Sequence, residues 1–322
     1  MPYDISPFND PNPAKYKFRR EPGANLLTGS TFALLCALTF AFAAVSTRRA
    51  VIKGPALMHG VFISILISVP FLFSILIASG QTRSIFKFSL SGYIWLSSAG
   101  ILHFVIGRWM FFKSVQFSGA NITSILRRTD SLVALLLGVV LLGEPLSFPL
   151  VSGILLTVLG VIITSLNPNM VRDSQAPFLN LTSKALFFGL GTGVLWGITP
   201  VLMKVGLQGS DAPVAGAFIS FFAATVALSF SLLNRDRRNS FSKLSWKIIG
   251  LYCMVGLLAG IANMFRFLAL NLSPASVVTP LLSTTPVFLV ALSFLLNRKL
   301  EVFNLPVIVG TVAVVIGAIL LV

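Results

Sequence analysis

The residues best equipped for chemistry stand in one short run, "ILRRTDSLVALLLGVVLLGE" at 125–144. Arg127, Arg128 and Asp130 occupy its first half, and Leu and Val fill most of Leu132 to Leu142. A guanidinium presents a planar fork of N–H donors that matches carboxylate or phosphate. Arg127 and Asp130 are one helical turn apart and can pair. Arg128 points about 100° away around the helix, beside Ser124 and Ser131, with no acidic partner on its own helix.

The cost of these charges constrains their surroundings. A charge at the bilayer centre costs about 2.5–3.5 kcal/mol on insertion scales, so three cost about 8–10 before pairing. The Leu and Val that follow return only about 3–5 kcal/mol. Such a helix must turn its charges into a bundle or a wet cavity, where ionisable groups mark a pathway by default. For a span starting near residue 119, Asp130 falls about 16 Å in, near the midplane.

Composition supports the membrane setting. Of 322 residues, 56% are hydrophobic and 10% charged, with mean hydropathy +0.92. A soluble domain carries about a quarter charged residues. Apolar runs near 20 residues recur, with little period-2 alternation, so helices and not a barrel are expected to satisfy the backbone. The expected spans are 26–48, 58–80, 91–112, 119–142, 147–167, 183–205, 212–233, 247–270, 275–297 and 303–322. The polar, Pro-rich segment 1–25 is read as an N-terminal tail, and Leu26–Val45 as a retained first span and not a removed signal. Cys36 and Cys253 lie within spans and are read as packing residues. The net charge of +15 is spread over short loops, a pattern that sets topology and meets anionic lipid, not nucleic acid.

The chain contains two copies of one pattern. "TFAFAAVSTRR" (39–49) aligns with "LWGITPVLMKV" (195–205), and the two "FIS" triplets at 62–64 and 218–220 keep that offset of 156. "FFKSVQFSGANITS" (111–124) aligns with "RFLALNLSPASVVT" (266–279), and Gly153 and Gly160 with Gly310 and Gly317. The expected division is a first repeat at 26–167, a linker at 168–182 and a second repeat at 183–322. Five helices is an odd number, so the second copy enters the membrane inverted. Inverted repeats are the architecture of many secondary transporters, with the substrate site near the midplane between them.

Each copy closes on a small residue or Pro, an aliphatic run, a polar pair and a Gly-spaced helix: "DSLVALLLGVVLLGEPLS" then "GILLTVLG", and "TPVFLVALSFLLNRKLEV" then "GTVAVVIG". This resembles the EamA family of the drug/metabolite transporter superfamily, over residues 26–322. The copies differ at the family's positions: Ser131 against Pro286, Gly143–Glu144 against Arg298–Lys299, and Phe40–Ala41 against Trp196–Gly197. The resemblance implies a multi-pass carrier of the cell membrane (the inner membrane in a bacterium), with both termini in the cytoplasm. The basic residues, more numerous on the side opposite the N-terminus, would by themselves place both termini outside.

Four basic residues fall inside expected spans: Arg108, Arg127, Arg128 and Arg266. At the repeat offset, Arg127–Asp130 face "TPLLSTTP" (279–286), a hydroxyl-rich wall of Thr279, Ser283, Thr284 and Thr285. Two readings stand for the arginines: they bond backbone carbonyls or snorkel, or they receive an anionic group. Two stand for the hydroxyls as well, helix–helix contact or cavity lining. His103 and Trp196 complete the candidate translocation residues, each with packing as the plainer alternative; Trp109, Phe40, Phe111 and Phe267 are candidate lining.

An all-α polytopic membrane protein of ten transmembrane helices in two inverted five-helix repeats is thus expected. Its expected function is secondary transport of a small polar metabolite, amino-acid-like or anionic, by alternating access. The alternatives are a sugar-phosphate or organophosphate antiporter and a drug exporter, the latter calling for a less charged cavity. Enzyme readings fare badly: there is no H-E-x-x-H and no acidic cluster, and the histidines are His59 and His103. No catalytic residue, metal or other cofactor is expected. The expected partners are a small-molecule substrate and membrane lipid, and the chain is expected to act as a monomer or homodimer.

Overall fold

The computed structural model describes residues 24–53, 57–165, 183–230, 245–285, 287–288, 291–292 and 305–321. The expected tail, the linker at 168–182, Pro286 and Arg298–Lys299 lie outside the described residues, apart from the last two residues of the tail. All regular structure among the described residues is helical. The elements are α1 (Ala24–Lys53), α2 (Leu57–Ala78), a 3-10 turn (Thr82–Lys87), α3 (Leu90–Gly100), a π-helical stretch (Ile101–Gly107), α4 (Arg108–Leu126), α5 (Thr129–Leu142), α6 (Phe148–Ser165), α7 (Ser183–Leu207), α8 (Pro213–Ser229), α9 (Trp246–Leu272), α10 (Ala275–Leu282) and α11 (Leu305–Leu321).

Among the described residues five segments are long and apolar enough to cross a membrane: Leu26–Ala44, His59–Ala78, Leu90–Ser118, Ser183–Leu207 and Trp246–Leu272. Four shorter apolar helices accompany them, Thr129–Leu142, Phe148–Ile163, Pro213–Ser229 and Ile308–Leu321. The chain is an all-α polytopic membrane protein.

Two boundaries differ from the sequence reading. Helix runs from α3 through the π stretch into α4 as far as Leu126, where a gap between two spans was expected. It is not straight. Ser114 Oγ and Thr123 Oγ1 are 2.9 Å apart, whereas nine residues of straight helix span about 13.5 Å, so the axis folds back between them. The second difference is that the fourth expected span is broken at Arg127–Arg128. There Asp130 N–H and Ser131 N–H bond back only three residues, to the carbonyls of Arg127 and Arg128. The charges were expected along an unbroken helix; they occupy a junction between helices.

The two copies pack as two-fold counterparts of one another. α1 lies against α9, as α7 lies against α3 and α4; α2 lies against α9, as α8 lies against α3. α2 with α8 and α6 with α11 are self-related pairs. The correspondence extends to atoms. Ser220 Oγ donates to the Leu96 carbonyl at 2.8 Å, and Ser64 Oγ donates to the Tyr252 carbonyl at 3.2 Å, each residue 156 positions from its counterpart. Gly100 and Gly256 make the matching close approaches. A Cβ on Gly100 would run into the backbone of Ser220, 2.9 Å from its Cα, and one on Gly256 would lie 2.6 Å from the Ser64 carbonyl oxygen.

α5 shows an apolar outward face and an inward face that carries its small and polar residues. On α5 the outward row is Leu132, Leu136 and Val140, while Asp130, Ser131, Ala134, Gly138 and Leu142 are buried. The i, i+4 spacing of both rows is one helical face each. The expectation that this helix turns its charges away from lipid holds.

Candidate functional site

The broken segment is held in place by close backbone approach. Gly193 and Gly197 of α7 lie on one helix face, directly against it: a Cβ on Gly193 would strike Thr129 Oγ1, and one on Gly197 would lie 2.6 Å from the Asp130 carbonyl oxygen. Opposite, the segment that follows α10 makes a similar break at Ser283–Thr284, where Ser283 N–H and Thr284 N–H bond to the Pro280 and Leu281 carbonyls. Ser131 Oγ and Ser283 Oγ then meet at 3.2 Å. Two discontinuous helices, one from each repeat, therefore face each other inside the bundle. In transporters of this symmetry, unwound helices at the repeat interface form the substrate site.

A polar cluster surrounds that meeting point. Arg127 Nη1 is 3.6 Å from Asp130 Oδ2, the pair expected from spacing, and its guanidinium carbon sits 4.9 Å above the Trp196 ring, within cation–π range. Trp196 is stacked between His103 and Phe111, with centroids 5.2 Å and 5.5 Å away. Its Nε1–H donates to the His103 carbonyl at 3.1 Å. Gly107 makes room, since a Cβ there would stand 2.5 Å from that nitrogen. His103 lies in the π-helical stretch, a local widening often found at functional positions.

His103 connects the repeats. Arg266 of α9 places Nη1 3.0 Å from His103 Nε2, and His103 Nδ1 lies 2.9 Å from Thr199 Oγ1. A guanidinium only donates, so Nε2 accepts and the ring hydrogen belongs on Nδ1, directed at Thr199. Thr199 passes its own hydrogen to the Trp196 carbonyl at 3.2 Å. This neutral tautomer positions Arg266.

Arg128 is 3% exposed and Arg266 5%, and the Nε of each is buried without a hydrogen-bond partner among the described residues. Thr279 Oγ1 is likewise buried and unpartnered. Arg127 and Asp130 act electrostatically on both Arg128 and Arg266. Among the described residues Arg127 alone lies within ion-pair distance of the Asp130 carboxylate, and Arg128 and Arg266 sense it at longer range. Arg108 acts on His103 from a turn away but joins none of these hydrogen bonds.

The cluster draws together Arg127, Arg128, Asp130, His103, Arg266, Trp196 and Ser283 from both repeats. The hydroxyls of Ser283, Thr284 and Thr285 each donate to a carbonyl of their own segment, those of Thr279, Leu281 and Leu282, at 3.3, 2.7 and 2.7 Å. Trp109 is 42% exposed and meets Phe188 edge-on, while Phe267 is fully buried. Sequence reasoning missed Lys204, which was not among the four bases singled out within spans. It is 2% exposed within α7 and lies 3.9 Å from Glu144, just beyond the end of α5. Thr199 was missed too, and the signal lay in "LWGITP", one turn beyond Trp196.

Known proteins agree with this architecture. No curated protein matches the chain. Among solved structures 29 chains match, one of them a crystal structure of a protein with 17% identity and a TM-score of 0.70, covering 92% of this chain and 95% of that one. At that identity the likeness is one of fold. The model of the EamA-like transporter family matches twice, at residues 27–166 and 183–322. Two matches that together take in nearly all of the helical chain, on a bundle whose copies pack as two-fold counterparts, make the protein a member of the EamA-like transporter family, within the drug/metabolite transporter superfamily.

Proposed function

We propose that this membrane transporter moves a small polar metabolite bearing an anionic group, amino-acid-like in size, by alternating access about the paired helix breaks. The observation that carries this reading is the pair of buried guanidiniums, Arg128 and Arg266, each with an Nε–H left without a partner among the described residues. A buried donor without a partner costs about 1–3 kcal/mol, and more on a charged group, so a ligand oxygen that accepts it gains that energy back. Ser131, Ser283 and Thr279 offer hydroxyls to the rest of the solute. Trp196, held by Arg127 and His103, forms one aromatic wall. Two more positive than negative charges among Arg127, Arg128, Arg266 and Asp130 favour a second reading, a phosphorylated metabolite exchanged for another anion. A lipophilic drug would gain nothing from these groups.

The test is counterflow in proteoliposomes, after a thermal-shift screen of the purified protein against anionic, zwitterionic and cationic metabolites. Saturable exchange of an anionic solute is expected, and Arg128→Gln should abolish it while leaving a folded, monodisperse protein. Unchanged transport and affinity in that variant would remove Arg128 from the site. Conductance that does not saturate would indicate a pore.

A further inference from the structure

A second buried charge cluster lies at one end of the bundle, apart from the arginines. Gly143 follows α5 in the left-handed conformation, φ 63°, and Glu144 N–H bonds back to the Gly138 carbonyl at 3.0 Å. This glycine-closed turn folds the Glu144 side chain back along α5, and the missing side chain of Gly138 makes room for it. Both carboxylate oxygens are then used on the other repeat. Oε1 accepts from Ala275 N–H at 2.7 Å and Oε2 from Ser276 N–H at 3.0 Å.

Those are the first free N–H groups of α10, whose preceding residue, Pro274, has no side-chain oxygen with which to cap it. Glu144 supplies the missing cap from across the repeat interface. Lys204 of α7 closes the arrangement, 3.9 Å from Glu144 Oε1 and donating to the Ser273 carbonyl where α9 ends. One carboxylate of the first repeat thus ties together α7, α9 and α10 of the second. α10 leads directly to Thr279 and Ser283, so this tie sets the position of one wall of the polar cluster.

The repeat-related positions differ in residue type. There stand Arg48 for Lys204 and Lys299 for Glu144, two bases that cannot make this pair. The tied end is the one where α1 begins and α11 finishes, since Leu26 and Leu321 line the same ≈ 230 Å³ cavity as Pro274 and Ser276.

We propose that Glu144 and Lys204 form a clamp that holds the transport route shut at this end and must separate for the route to open there. Two bases at the repeat-related positions make the cycle asymmetric, biased toward closure on the side of the α1 start. The proposal rests on the carrier reading for its place in a cycle, but the clamp is testable without substrate.

Ser276→Cys, in a background with Cys36 and Cys253 replaced by Ala, places a thiol behind the clamp. Labelling of the purified protein by a polar maleimide should be slow, and about tenfold faster after Glu144→Gln or Lys204→Gln, as expected when one charge-assisted contact biases two states. Unchanged rates in a folded variant of either kind overturn the clamp. A covalent substitute tests the gate independently. A Cβ at position 138 lies 3.6 Å from Ser276 Cβ, within the range of about 3.5–4.5 Å that a disulfide spans. In Gly138→Cys/Ser276→Cys with Glu144→Ala, oxidation should stop counterflow and reduction restore it; exchange that survives oxidation refutes the gate. A wild-type protein without exchange would sink the carrier reading, while the labelling rates would still decide whether the clamp exists.

Discussion

Replacing His103 by leucine separates a positioning role from simple packing. His103 is 7% exposed and Arg266 5%, and they meet at 3.0 Å. Leucine nearly fills the volume but accepts no hydrogen bond, so the Nη1 of Arg266 joins its Nε as a buried donor without a partner. A hydrogen bond to a charged group contributes about 1.5–3 kcal/mol. Thr199 keeps its bond to the Trp196 carbonyl, so little is added there. At about 2–4 °C per kcal/mol for chains of 150–250 residues, the melting temperature in detergent should fall by roughly 3–12 °C. His103→Gln, whose amide oxygen can accept from Arg266, should recover much of this loss. Where transport is measured, leucine should also weaken apparent affinity more than glutamine does. A leucine variant that melts with the wild type, or a glutamine variant no better than leucine, would refute the reasoning.

Gly100→Ala and Gly256→Ala should each lower stability by about 1–3 kcal/mol, since the new methyl meets backbone and not a yielding side chain; Gly250→Ala, with open space around it, should be neutral on the same melting assay. Trp196→Phe keeps the stacking but loses the Nε1–H bond to the His103 carbonyl and weakens the hold on Arg127, so a fall in exchange rate of about three- to tenfold, read by counterflow, is expected. Asp130→Asn leaves Arg127 without its ion-pair partner and removes the one negative charge that acts on buried Arg128 and Arg266, so it should lower melting temperature more than Arg127→Gln, Arg127 being the more exposed partner.

Much of the architecture was legible because lipid imposes simple rules. Length and hydropathy pointed to the helices, a repeat offset to a second copy of the pattern, and the cost of Arg127, Arg128 and Asp130 to an inward face for them. Arg266 and His103 were singled out by charge, although nothing in sequence spacing joins them; only the fold brings residues 163 positions apart into contact. The break at Arg127–Arg128 was not legible, because unwinding there depends on α7 lying close through Gly193 and Gly197. Thr284 and Thr285 resembled cavity lining by composition, yet a hydroxyl in a helix can always turn to its own backbone. Lys204 was lost at a span boundary. Its partner stands 60 residues earlier, in the other repeat, and a helix-end base looks solvated until the acid that meets it is known.

The reciprocal serine–glycine contacts carry a consequence for how such a molecule can be assembled. Each half finds its tightest neighbours in the other: α9 lies on α1 and α2, and α3 lies on α7 and α8. Neither half is therefore a self-contained body. Expressed by itself, residues 27–166 would leave those seams open to lipid, and could close them only against a second copy threaded through the bilayer the opposite way. Joining two odd-numbered halves into one polypeptide removes that demand, because each molecule then carries its own oppositely threaded mate.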